Sequence, residues 1–160
     1  MLDKLLPRPI DNKYSGSKIA LWLLGLIVFV QTLQSVLVLV NGYSIAQSAD
    51  GIPLESYPAA AAQTILAIFV TASLRRLIIA LMCAVVLFQY RSAVPLMFVV
   101  LVISSVGGQM ILQFVPIVRV GTPPGVFMNF ILLGLTIVGL ALSLWKRGGS
   151  RLLGTRTHAT

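Results

Sequence analysis

AAAAQTILAIFVTASLRRLIIALMCAVVLFQY occupies Ala59 to Tyr90. A run of about 20 apolar residues is enough for a helix to cross a hydrocarbon core about 30 Å thick. This stretch is longer than that, and its only charges are Arg75 and Arg76. It reads as a membrane helix that carries two guanidinium groups inside it. A hydrocarbon interior does not hold such a pair without a local reason, so the question for the rest of the chain is what the arginines face.

The remaining sequence supports lipid as the solvent. Of the 160 residues, 58% are hydrophobic and 10% are charged, and the mean hydropathy is +0.96. A soluble domain carries about 25% charged residues, and a chain of this length cannot bury so much apolar surface in a single globular core. The net charge of +8 comes from basic residues gathered at the two ends. They form no basic face interleaved with aromatics, so no nucleic-acid partner is expected. The lone Cys83 excludes a disulfide framework and reads as a small residue that is packed or lipid-facing.

Four segments reach bilayer length: 19–40, 66–90 within the longer run above, 93–115 and 126–145. In lipid each must be helical, because only a helix satisfies its own backbone groups within one segment. Pro95 falls in a first turn, where a missing N–H costs nothing. The expected fold class is therefore all-α: a polytopic integral membrane protein, one domain over 1–160, with four transmembrane helices in an antiparallel bundle and a loose tail over 146–160. The first span exceeds the h-region of a signal peptide, about 7–15 residues, and is expected to be retained.

Orientation follows from the basic residues. Lys4, Arg8, Lys13 and Lys18 precede the first span, Arg91 sits between the second and third, and Lys146, Arg147, Arg151 and Arg156 follow the fourth. The loop from Asn41 to Pro58 holds only Asp50 and Glu55, and the loop from Pro116 to Gly125 holds Arg119 alone. The positive-inside rule then predicts both termini in the cytoplasm. Trp22, Tyr90 and Trp145 would mark the inner interface, and Tyr43 and Tyr57 the outer one. The short Arg91-Ser92 connection predicts that helices two and three are antiparallel neighbours.

Polar residues gather at one depth. With a rise of about 1.5 Å per residue, Arg76 lies about 21 Å outward from Tyr90, in the outer half of the core. Gln31, Gln34 and Ser35 share a face of helix one in the same half. Ser105, Gln109 and Gln113 make a stripe on helix three, and Asn129, Thr136 and Ser143 recur every seventh residue on helix four, with Gly139 on the same face. Arg75, Arg76, Gln31, Gln34, Gln109 and Asn129 are thus expected to form a polar cluster, for which holding an anionic lipid headgroup or a small anion is one reading. Other readings of the same residues stay open. The Gln, Asn and Ser positions can be interhelical glue. The arginines can snorkel to headgroups or pair with an acid of another subunit. No span holds a carboxylate, so pairing within the chain requires Asp50 or Glu55 to fold inward. Ser104-x-x-x-Gly108 and Gly107-Gly108 read as a close helix contact or a bend.

Catalytic constellations are missing from the sequence. The only histidine is His158, close to the C-terminus. No His/Cys/carboxylate set for a metal, no nucleophile elbow and no phosphate-cradling glycine loop is present. No catalytic residue, metal or cofactor is expected, and without an acid or histidine in a span a proton-driven pump is not expected either.

Three stretches carry a resemblance: KYSGSKIALWLL over Lys13 to Leu24, ADGIPL over Ala49 to Leu54 together with AAAAQT over Ala59 to Thr64, and YRSAVPLMF over Tyr90 to Phe98. They resemble a family of small four-helix bacterial inner-membrane proteins to which no activity is attached. The resemblance covers roughly the first three helices. It implies the same topology in a bacterial cytoplasmic membrane and does not include Arg75-Arg76. The functional expectation is a non-enzymatic accessory or interaction subunit that packs through its helices, with membrane lipids, itself or a larger membrane complex as partners. The alternative is a binding or permeation protein that uses the polar cluster.

Overall fold

The computed structural model describes residues 16–145. The expectations for Lys4, Arg8, Lys13, His158 and the 146–160 tail with its basic residues lie outside the described residues. The described part is helical: α1 (Lys18–Ser48), α2 (Ala59–Gln89), α3 (Val94–Phe114) and α4 (Pro124–Trp145), with short 3-10 turns at Leu54–Ser56 and Arg91–Ala93. All four long helices have the length and apolarity to cross a membrane.

Local chemistry sets the helix ends. The Ser17 hydroxyl accepts from the Ile19 N–H at 3.3 Å and caps α1. Pro58 precedes α2, Pro95 lies in the first turn of α3, and Pro124 opens α4. These are places where a helix has no use for the missing N–H. Asn41 does not begin a loop, as the sequence led us to expect. Its φ of −137° and ψ of 46° kink α1, and the helix then continues to Ser48. The added turns are held by packing: Gly42 sits against Val70 and Leu66 of α2, and buried Ala46 joins Ile52 and Leu54 in a small apolar cluster.

The main core draws on every helix. Ala20, Leu24 and Ile27 of α1 meet Cys83 of α2, Val94, Phe98 and Leu101 of α3, and Leu132 of α4. Cys83 is therefore packed and not lipid-facing. The α4 stripe also faces inward, with Thr136, Gly139 and Ser143 buried. Thr136 satisfies its hydroxyl by donating to the Leu132 carbonyl at 2.6 Å. Trp22, Tyr90 and Trp145 are exposed at the end bearing the Arg91 turn, and Tyr43 is exposed toward the opposite end, while Tyr57 is partly covered.

One pairing is weaker than the short Arg91-Ser92 connection predicts. α1 lies chiefly against α2, and α4 lies against α1 and α3, whereas α2 and α3 make few contacts despite the single turn that joins them. Phe98 turns toward Gly139 of α4, which draws α3 to α4. What is left between α2 and α3 is a cleft.

Candidate functional site

The cleft has a volume of about 690 Å³. Its α2 wall is Ala72, Arg75, Arg76 and Ile79, and its α3 wall runs from Leu101 through Ser104, Ser105, Gly107, Gly108 and Gln109 to Leu112. Gln31 of α1 and Asn129 and Leu132 of α4 complete the lining. The space exists because side chains on its walls are small. A Cβ added at Gly107 or Gly108 would meet nothing within 4 Å. This corrects the expectation of a tight helix contact at Ser104-x-x-x-Gly108: the small residues line open space.

Five of the six residues expected to cluster line this cleft: Arg75, Arg76, Gln31, Gln109 and Asn129. Gln34 does not. Its Oε1 is buried and has no hydrogen-bond partner, as does Oγ of the neighbouring Ser35, a residue only 1% exposed. Gln113 is exposed and lies outside the lining, while Ser105 belongs to it. On α2, Ser73, Ala80 and Cys83 are the buried residues. Arg76 falls on that same stripe by helical spacing, yet it is exposed because the cleft lies in front of it.

The loops at the far end from the Arg91 turn are tied together. The Val120 N–H donates to the Gly51 carbonyl at 2.9 Å, and the Gly125 N–H donates to the Ala49 carbonyl at 2.9 Å. Asp50 lies between these bonds and is half-buried. Burial raises its carboxyl above the ordinary value, opposed by the charges of Arg119 and Arg76. One of the two loop acids has therefore folded to within electrostatic reach of Arg119 and Arg76. The other, Glu55, stays exposed and accepts from Gln47 Nε2 at 3.2 Å. Arg119 was not expected near this group. Its Nε is buried without a partner, and nothing in the spacing of an isolated loop arginine reveals that.

The cleft offers donors. Each guanidinium carries five N–H groups in a fixed fork, and the carboxamides of Gln31, Gln109 and Asn129 can donate as well. No Asp, Glu, His, Lys, Cys or Tyr is among the lining residues. Such a surface accepts negative charge through charge-assisted hydrogen bonds. It presents no pair of groups suited to exchanging a proton near neutral pH. No family model, characterised protein or solved structure matches this chain, so the reading of the cleft rests on its own residues.

Proposed function

We propose that this protein crosses the bacterial cytoplasmic membrane four times as an antiparallel bundle, with both termini in the cytoplasm, and that its cleft binds a phosphate-like anionic group without transforming it. The group can belong to a lipid headgroup or to a free anion. One observation carries the reading: Arg75 and Arg76 line the same cleft as Gln31, Gln109 and Asn129, with no carboxylate among the lining residues. Guanidinium groups bind phosphate-like groups through bidentate, charge-assisted hydrogen bonds. An arginine near a helix centre costs about 2.5–3.5 kcal/mol on insertion, and an anionic ligand at the pair would offset that cost.

The test is binding by the full chain in nanodiscs, comparing wild type with the Arg75→Gln/Arg76→Gln variant. Anionic lipid and inorganic phosphate are measured separately. Arginine-dependent binding of either supports the reading, and binding of both that is indifferent to the substitutions removes it.

A second reading, an accessory subunit, draws on the uncovered small-residue face of α3, where Gly108 is exposed. There, a helix of another copy or of a larger complex would fill the cleft in place of a ligand. Cross-linking from a cysteine at Ser104 in native membranes distinguishes it: a defined protein adduct would favour the accessory role.

A further inference from the structure

We infer that the occupant of the cleft is an anionic phospholipid of the leaflet on the side of the Ala49–Gly125 loop contacts, admitted sideways between α2 and α3, with its phosphate at Arg75 and Arg76 and its upper acyl chain against Ile79 and Ile103. This rests on the anion-binding reading above and adds the source of the anion, its route and its direction.

Three observations favour a lipid over a free ion. The cleft is amphipathic along its length. Arg75, Arg76, Gln109 and Asn129 form its polar part, flanked on the loop side by Ile111 and Leu112, and the accessible apolar residues Ile79 and Ile103 lie about one to two helical turns closer to the Arg91 end. A lipid of the loop-side leaflet, with its head toward the surface and its chains toward the midplane, would set its phosphate on the polar part and a chain on Ile79 and Ile103. The volume agrees. At about 690 Å³ the cleft falls in the range of sites that enclose organic ligands, about 300–1,000 Å³. A water molecule's share of liquid volume is about 30 Å³, so an inorganic anion of a few water volumes leaves most of the cleft empty. The route agrees as well. α2 and α3 make few contacts, and Gly107 and Gly108 on the α3 wall have open space in front of them.

The experiment uses the full chain, reconstituted with mixed phosphatidylglycerol and phosphatidylcholine and then extracted for native mass spectrometry and lipid quantification. Wild type is expected to retain phosphatidylglycerol selectively. Retention should fall about tenfold, equivalent to about 1.4 kcal/mol, both in Arg75→Gln/Arg76→Gln and in Gly107→Phe, which fills the cleft and leaves the arginines in place. Excess sodium phosphate should not displace the lipid. A second measurement needs no variant: phosphatidylglycerol with a photoreactive acyl chain should cross-link to wild-type peptides containing Ile79 or Ile103. If sodium phosphate binds in an arginine-dependent way and displaces the lipid, or if the acyl probe misses both peptides, the lipid assignment is overturned while anion binding stands. If neither phosphate nor phosphatidylglycerol depends on the arginines, both fail.

Discussion

A Cβ placed on Gly139 of α4 would fall on the ring of Phe98 of α3. The ring occupies the volume that the missing side chain vacates, and both residues are buried. Gly139→Ala must therefore shift Phe98 or part the two helices. Overpacking of this kind costs about 1–3 kcal/mol. We expect a lower melting temperature in detergent, read with a thiol-reactive fluorophore that reports exposure of Cys83. Phe98→Leu in the same chain should recover part of the loss, so the double-mutant cycle should show coupling. Additive effects would mean that the contact does not hold α3 to α4.

The four helices were legible because lipid imposes a length and an apolarity that few other structures need. The kink was not. Asn41-Gly42 reads as a turn, and the packing of Gly42 against α2 together with the burial of Ala46 with Ile52 and Leu54, residues of the next loop, keeps the chain helical to Ser48. The polar cluster was legible because depth follows from helical rise. The wall to which each residue belongs was less so: Gln31 and Gln34 differ by only about 60° around α1, and that decides which one lines the cleft. Gly107-Gly108 was misread because small residues permit both a close contact and a void, and the choice between them is made by Phe98 and Gly139 on the far side of α3.

Gly51 and Gly121 both have positive φ, 67° and 74°, and differ in their surroundings. A Cβ on Gly51 would lie 3.0 Å from the Val120 carbonyl oxygen and 3.3 Å from Pro123, whereas one on Gly121 would meet nothing within 4 Å. Alanine at either position incurs the left-handed penalty, about 1–2 kcal/mol. At Gly51 it also strains the bond that joins the loops. Gly51→Ala should destabilise more than Gly121→Ala and should speed hydrogen exchange at the Val120 amide. Equal effects would show that the loop junction adds nothing to stability.

Asp50 gives the loops a pH dependence of a definite sign. Its carboxyl is raised by burial above the ordinary 3.8, with Arg119 and Arg76 opposing the shift. The folded protein therefore holds the proton more tightly than the unfolded chain does. Between the ordinary value and the higher folded value, this residue's contribution to stability falls as pH rises. Asp50→Asn removes the cost of ionisation. The variant should gain on wild type as pH is raised from about 4 toward neutrality, and the difference should shrink on acidification. Thermal melts across that range check this, and a variant that loses ground as pH rises would show that the arginines outweigh burial.

Cys83 has no exposure and sits among core side chains, so it should not react with maleimides until the protein is denatured. A cysteine introduced elsewhere then reports on its own position. Glu55 is exposed in the first loop, and Lys18 and Trp145 are exposed at the opposite end of their helices. With four helices able to cross the membrane and basic residues favouring the cytoplasmic side, a membrane-impermeant maleimide added to intact cells should label Glu55→Cys. Lys18→Cys and Trp145→Cys should label only after the membrane is permeabilised. If one of those two cysteines is labelled in intact cells and the other is not, the number of crossings is odd and the four-crossing topology with both ends inside fails; if Glu55→Cys is not labelled, the loop that bears Asp50 does not face the outside.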